Sequence, residues 1–586
     1  MPSKQWVLKE PVSLELKKQF AEIQPLILQL LINRGLNTQE KIDEFLHPDY
    51  GQDILDPFLF PDMEKAVARI YEAVAKKEKI IVYGDYDADG VTSTVLLANV
   101  LQTMGARYDV YIPHREKEGY GLNLKAIKYL ARKKAKLIIT VDCGISNKKE
   151  IDLAKKKKIE VIVTDHHHEP LELPGAYAII NPKVKKCNYP YYDLAGVGVA
   201  FKLAQAIILR DKKNIFSPGY EKWLLDLVAI GTVTDVMPLI GENRTLLKFG
   251  LIVLNKTKRK GLKILAQKTD IWPITEEELM NSENIGFVLG PRLNAAGRMD
   301  HANVSYELLM TETDKEAEKL ALSLEKNNQK RQSVTEKIIE EIKSSDIDLD
   351  KKLMIVASGK WSVGVIGLAS GKLKDQFNVP AIVIGKAGKK LIGSGRSIKE
   401  FNLIEALGKM PELFAVLGGH AAAAGFTLKN RKCLADFEKR ITELAEKELH
   451  GKNLLPKLEI DAELNLEDLN WELFDQMQEF EPFGQANPKP LFLIKTLKVE
   501  SVRTVGNGNK HLKLYLKHEN MVKSFEAIGF GMGEHFEKIK IGDKMDVVCE
   551  VNLNQFNGNR KLELKIVDWQ PIITLDDKNS LKSKIL

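Results

Sequence analysis

From residue 80 to about residue 210, short apolar runs alternate with stretches of helical periodicity. Residues 80–82, 108–112, 137–141, 159–163 and 177–180 have the length and composition of buried strands, and helical spacing fills most intervals between them. Alternation with connections of this length predicts a parallel sheet wound with helices. Upstream, Leu26, Ile27, Leu30, Leu31 and Ile32 repeat at helical spacing before Gly35 supplies a stop signal. Residues 1–50 therefore read as a helical lead-in, its apolar stripe expected to pack against the following domain. A second helical pattern, residues 63–75, feeds directly into the first strand.

Beyond residue 250 the periodicity is mostly helical up to 345. It closes in a long helix over 312–342 that carries Leu320, Leu322, Leu324, Val334, Ile338 and Ile339. Residues 346–455 start a second α/β unit, with strands over 353–356 and 381–384. Its glycine-rich segments at 364–367, 393–397 and 418–425 read as turns. From 456 to 575 the period changes to two. Runs at 492–499, 512–516, 524–528, 545–551 and 561–566, with a hairpin signal at Asn557-Gly558, predict a small barrel of the OB type. Lys513, Lys517, Lys523, Arg560 and Lys561 suit a basic groove on it, and Phe525, Phe530 and Phe556 are either stacking platforms or core. Residues 576–586 form a polar tail. The expected class is α/β: two α/β domains joined by a long helix, then an all-β barrel.

A chain of 586 residues requires more than one core. The formal net charge of +7 is small for that length; it is compatible with a polyanionic partner without demanding one. Cys143, Cys187, Cys433 and Cys549 have neither zinc nor disulfide spacing, which fits a reducing compartment. The sequence shows no signal-peptide core and no apolar run of membrane length, so the expected location is the cytoplasm, with no membrane partner.

Three predicted strands end in potential ligands. The first breaks at Gly84 into Asp85, Asp87 and Asp89, the third runs into Asp142-Cys143-Gly144, and the fourth into Thr164-Asp165-His166-His167-His168. Asp235 follows a helical run over 223–230. In wound parallel sheets, functional groups gather beyond the carboxyl ends of the strands. One aspartate would serve as a helix cap, but an alternating triplet repels itself unless cations or donors neutralise it. Oxygen-rich clusters suit Mg²⁺ and Mn²⁺, and carboxylates and imidazoles delivered to one rim predict a two-metal site. The glycine-rich segments with Arg396 and His420 suggest a phosphate clamp facing the metals, since glycine lets amides and a guanidinium approach an anion closely. Lys133-Lys134 and residues 155–158 read as solvated helix ends.

Together these features resemble the DHH phosphoesterase superfamily, and within it the RecJ branch of single-stranded-DNA exonucleases. The resemblance is carried by Asp85/Asp87/Asp89, Asp142, Asp165-His166-His167 and Asp235. Further similar segments are Tyr83-Gly-Asp-Tyr-Asp-Ala-Asp-Gly90, Pro113-His-Arg-Glu-Lys-Glu-Gly-Tyr-Gly121, Ile180-Asn-Pro182, residues 290–299, Gly418-Gly-His420 and Glu481-Pro-Phe-Gly484. It implies a DHH catalytic domain over 51–250, a helical region and connecting helix over 251–345, and a DHH-associated domain over 346–455. The implied activity is 5′-to-3′ hydrolysis of single-stranded DNA with release of 5′-mononucleotides, in DNA repair and recombination.

The same resemblance implies two Mn²⁺ or Mg²⁺ ions held by Asp87, Asp89, Asp142, His166 and Asp235, with Asp142 bridging. Asp85, Asp165 and His167 would assist catalysis, His167 at the scissile phosphate. Arg115, Arg298, Arg396 and Ser397 would grip the 5′-terminal phosphate, with Arg292 and His420 beside them. A single-strand-binding protein and a RecQ-type helicase are the implied partners. Departures are Tyr83, where pyrophosphatase-like members carry a histidine ligand, Ser362, where many relatives have histidine, Gln485-Ala486, where a turn commonly holds glycine, and the additional imidazole of His168. Two rival readings are a phosphodiesterase of short oligonucleotides or cyclic dinucleotides, which would lack the barrel, and a non-catalytic single-strand-binding scaffold, which would have lost the aspartates.

Overall fold

The computed structural model describes residues 4–272, 279–344, 351–556 and 559–572. Two compact units divide the chain, one built on Asp49–Leu455, the other on Ser3–Pro48 with Pro456–Leu586. Among the described residues, no helix is long and apolar enough to cross a membrane.

The first unit opens with a wholly parallel sheet of β1 (Ile80–Tyr83), β2 (Tyr108–Tyr111), β3 (Leu137–Val141), β4 (Glu160–Thr164) and β5 (Ala178–Ile180), in the order β2-β1-β3-β4-β5. Every residue of β1 and β3 is buried, as befits strands covered on both faces. From β1 the chain steps to β2 on one side, then returns to β3 on the other. The crevice beyond the carboxyl ends of β1 and β3 is therefore the topological switch point, where open α/β sheets bind ligands. At this crevice α1 (Ala88–Thr103) begins, capped by Asp87, whose Oδ1 accepts from the Gly90 amide at 3.0 Å. The expected helix-cap role is thus real for one aspartate of the triplet. Both α2 (Gly196–Leu209) and α3 (Leu225–Thr234) pack on α1 in the largest apolar core.

After α4 (Gly290–Met299), the long helix expected over 312–342 is α5 (Asp314–Lys343). It leads into a mixed sheet of β6 (Met354–Ala357), β7 (Ala381–Ala387), β8 (Lys390–Arg396), β9 (Phe414–His420) and β10 (Ala423–Leu428), ordered β9-β10-β8-β7-β6. Here the structure corrects the glycine-rich turns: residues 393–396 lie in β8 and 418–420 in β9. Two of these glycines make room for neighbouring side chains. A Cβ on Gly393 would stand 2.1 Å from the Phe426 ring, and one on Gly395 2.5 Å from Leu403.

In the second unit, β11 (Phe492–Val505), β12 (His511–Lys517), β13 (Phe525–Gly529), β14 (Lys544–Phe556) and β15 (Asn559–Pro571) follow the order β11-β12-β13-β15-β14. β11 also pairs with β14, which closes the barrel. The lead-in packs here, contrary to expectation: Leu28, Leu30 and Leu31 share a core with Leu466, Phe474, Phe480 and Phe492. The strand Gln5–Leu8 adds in parallel to Lys457–Ile460 and ties the chain's start to this unit. Lys513 is no groove residue; it is buried between Glu526 and Glu563. Phe525 is core, whereas Phe530 is exposed. The Asn557-Gly558 hairpin, the Phe556 side chain and the 576–586 tail lie outside the described residues and side chains.

Within the first unit, Lys202 of α2 is fully buried against Glu242. Lys202 Nζ also donates to the Leu55 carbonyl (2.7 Å), and Glu242 accepts from Tyr189 Oη (2.6 Å) and the Leu55 amide (3.0 Å). Removing one partner of such a pair strands the other charge in the interior. Lys202→Met is expected to lower stability by about 3–5 kcal/mol, with part recovered in Lys202→Met/Glu242→Leu. Denaturant unfolding followed by tryptophan fluorescence measures this; a neutral single variant would show that the pair is not holding this core.

Candidate active site

Acidic and imidazole groups from separate segments converge on the β1/β3 crevice. Asp85, Asp87 and Asp89 follow β1, Asp142 follows β3, His166 follows β4, and Asp235 ends α3. Ligand atoms of Asp89, His166 and Asp235 lie within 4.8 Å of one another, as do those of Asp85, Asp87 and Asp142 and those of Asp142, His166 and His167. Asp142 and His166 connect the groups. Asp142 takes a left-handed backbone, φ 59°, which is strained for a non-glycine residue. It is held there by its amide bond to Thr164 O (3.1 Å) and by Tyr120 Oη, which donates to its carbonyl (3.0 Å). Gly196 makes room for it: a Cβ there would stand 2.7 Å from Asp142 Oδ1. The first amides of α2, Gly196 and Val197, donate to the two oxygens of Asp89 at 2.7 and 2.9 Å, where the helix dipole favours an anion.

Electrostatically the crevice is overloaded. Burial, then the charge of Asp87, pushes Asp89 up to about 7 against the pull of its amide partners. Burial and neighbouring carboxylates raise Asp85, Asp142 and Asp235 well above the ordinary range. Burial, with the charge of His167, pulls His166 down to about 3, so its ring is neutral. His166 Nε2 faces Asp142 Oδ1 at 3.2 Å, Asp235 Oδ2 at 3.5 Å and Asp89 Oδ2 at 3.9 Å, in hydrogen-bond geometry with none of them. Asp85 Oδ1 is likewise buried without a partner. A neutral imidazole nitrogen ringed by carboxylate oxygens fits Mn²⁺ or Mg²⁺.

Asp165 points elsewhere. Its Oδ1 accepts from the amides of His166 (2.8 Å) and His167 (3.1 Å) and from His167 Nδ1 (2.8 Å), and its Oδ2 accepts from the Ile145 amide (2.9 Å). Burial opposes its charge, yet these donors hold its carboxyl below the ordinary value. Burial likewise works against a charged His167, and the bond and charge of Asp165 outweigh it, raising the ring's pKa. Asp165 thereby fixes the tautomer of His167, with Tyr120 Oη 3.0 Å from the same Nδ1.

Arg115 and Arg298 line a cavity of about 230 Å³ together with Asp85, Asp87, Asp89 and Asp235. Arg115 lies over the Tyr86 ring at 4.8 Å, Arg298 Nη1 donates to Gly364 O (3.3 Å), and Arg396 Nη1 to Gly395 O (2.9 Å). Burial, then the charge of Arg115, presses both Arg298 and Arg396 below their ordinary values. Crowded guanidinia with no ion pair among the described residues make an anion site. Two expected members fall away. Arg292 is engaged by Glu325 (2.7 Å) and Val288 O (2.9 Å). The buried Ser397 hydroxyl donates to Phe401 O (2.7 Å); the hydroxyl near Arg396 belongs to Ser394, 3.3 Å from Nη1. His420 does not line this cavity; its ring lies 5.7 Å from that of His168.

Sequence reasoning did not single out Tyr120, Lys183 or Asn294, although each lies in or beside a segment carrying the resemblance. Asn294 Oδ1 accepts from the Ala88 amide (2.9 Å) and lines the same cavity. Asn181 donates to His167 O (2.9 Å) and accepts from the Lys183 amide (2.8 Å), which brings a cation to the site: the Lys183 ammonium opposes the rise of Asp235 and adds to the fall of His166. In the second unit, exposed Trp471 carries Arg560 over its ring at 5.4 Å.

Known proteins match this arrangement throughout. The family models of the DHH family, N-terminal domain, the DHHA1 domain and the RecJ OB domain match residues 79–232, 350–447 and 460–568. The single-stranded-DNA-specific exonuclease RecJ of Bacillus subtilis is 40% identical over 578 residues, spanning 96% of this chain and 71% of that protein. RecJ of Escherichia coli is 33% identical over 572 residues, 94% of this chain and 97% of that protein. The crystal structure of RecJ in complex with Mn²⁺ from Thermus thermophilus superposes with a TM-score of 0.81 at 26% identity, covering 97% of this chain and 80% of that one. With the same domains in the same order and such identity across nearly its whole length, this chain belongs to the RecJ family.

Proposed function

We propose that this protein is a metal-dependent exonuclease that hydrolyses single-stranded DNA from its 5′ end and releases 5′-mononucleotides. The observation that carries the reading is the pairing of opposites in one crevice: clustered carboxylates around His166, with crowded guanidinia on the same cavity wall. Asp87, Asp89, Asp142, His166 and Asp235 would hold two divalent ions, Asp142 shared between them and Asp85 behind. When bound, such ions supply a polarised water and neutralise charge on the attacking and leaving oxygens of a phosphodiester.

The chain's own groups do the remainder. Asp165 orients His167 and favours its charged form, leaving Nε2 to donate to the scissile phosphate. Arg115, Arg298 and Arg396 take a terminal phosphate and so set the distance from the strand end to the cleaved bond. Lys183, whose charge reaches Asp235 and His166, and His420 beside His168 would meet the following phosphates. The barrel, with Phe530 exposed on it and Trp471 exposed on the helix that precedes it, suits unpaired bases. Action in DNA repair and recombination in the cytoplasm, with a single-strand-binding protein and a RecQ-type helicase delivering the strand, completes the proposal on family grounds.

Digestion of 5′-labelled single strands with and without Mn²⁺ tests the activity directly. Asp142→Asn keeps a residue that tolerates the left-handed backbone and is expected to cut the cleavage rate by more than about a hundredfold, the upper end for groups that only support a metal ligand. Near-normal cleavage in that variant would remove the metal site from the account. Because Asp89 sits near 7 and its neighbours are also raised, Mn²⁺ must expel protons. Its affinity should climb as pH rises through about 7. Calorimetry in buffers of different ionisation enthalpy reads the released protons, and identical heats in each would contradict this. Arg396→Ala should erase the preference for 5′-phosphate over 5′-hydroxyl ends by about tenfold or more, since it removes a charge-assisted contact. An unchanged preference, measured as the ratio of kcat/KM for the two ends, would take Arg396 out of the clamp.

A further inference from the structure

A second cavity, of about 550 Å³, shares Arg298 with the metal-site cavity and none of its clustered carboxylates. One wall is a single face of α5: Lys330, Val334, Lys337, Ile338 and Glu341 recur at helical spacing. Lys360 and Trp361 line it as well, and Glu116 and Asp300 place two carboxylates on the same lining. The Trp361 ring is fixed by Nε1, which donates to Glu341 Oε2 at 2.8 Å. Lys330, Lys337 and Lys360 form no ion pair among the described residues, and the shared Arg298 guanidinium makes only its bond to the Gly364 carbonyl there.

Size and chemistry together select the occupant. The cavity falls in the range of small-molecule sites, about 300–1,000 Å³, whereas the metal-site cavity is smaller than that. An apolar floor of Val334, Ile338 and Trp361 suits a base and sugar, and unpaired lysines beside a desolvated guanidinium suit a phosphate. Resting on the exonuclease reading, we propose that this cavity receives the nucleoside 5′-monophosphate freed at each cleavage. Arg298 is common to both cavities, so the phosphate it grips before cleavage can turn into the second cavity without losing that partner. The departing nucleotide then leaves away from the aspartates while the new strand end advances onto them.

The probe is dAMP, added to the Mn²⁺-loaded full-length enzyme cleaving 5′-phosphorylated single strands. Because Arg298 serves both cavities, bound dAMP is expected to slow turnover and to raise KM for the strand as well. The double variant Lys330→Glu/Lys337→Glu is expected to weaken that inhibition by about tenfold or more. Both lysines are exposed on the helix, so charge reversal leaves its packing intact, and the thermal midpoint checks this. Equal inhibition in the double variant, or none at millimolar dAMP, overturns the pocket while wild-type cleavage leaves the nuclease reading standing. Absence of wild-type cleavage would instead strike the nuclease reading itself.

Discussion

Asp85, Asp89 and Asp142 are buried in one crevice with Asp87 and Asp235 at its mouth, and each raises the cost of ionising the others. At an effective dielectric of about 20, like charges just under 5 Å apart cost about 3–4 kcal/mol per pair. A helix N-terminus supplies about 0.3–1 kcal/mol of opposing stabilisation, so the α2 amides on Asp89 cannot balance the cluster. Only protons or multivalent cations can. The neighbouring architecture accommodates that demand: glycine at 196, a strained backbone at 142, and a neutral His166 whose Nε2 turns toward the oxygens.

The cations of the protein itself are kept just outside. Arg115 and Arg298 share the aspartates' cavity without forming an ion pair, and Lys183 reaches the site through Asn181. Had these groups paired directly with the aspartates, the site would be neutral and closed to both metal and phosphate. Separation leaves an electronegative pocket for cations next to an electropositive one for anions, the charge pattern that a metal-bound phosphodiester presents in reverse. Asp165 shows the contrast within one tripeptide: fully engaged by donors, it falls below its ordinary pKa while the neighbouring carboxylates rise.

Much of this was legible along the chain. Buried strands are short apolar runs, so β1 to β5 and the residues that follow them could be placed by pattern, and α5 by its period. Errors arose where a residue's partner is remote. Gly393 and Gly395 look like turn residues until Phe426 and Leu403 are seen lying over them. Ser397 and Ser394 are alike in sequence, and only the fold commits the first to Phe401 and leaves the second beside Arg396. Lys513 reads as a groove cation until Glu526 and Glu563 close on it, and the lead-in's stripe gives no sign that its partner lies more than four hundred residues away.

By itself the sequence determined the elements of the first sheet and their endings, because strand length, helical period and the residue after a strand are local properties set by backbone sterics and burial. It also determined the family, through ligand types in a fixed order. The order of strands was decided by tertiary structure alone. Placing β1 beside β3 made their two loops neighbours, so that Asp89 and Asp142 both reach His166, which Asp235 approaches from α3. Pairing across a sheet depends on surfaces that meet only when the chain is folded, and no local pattern carries that information.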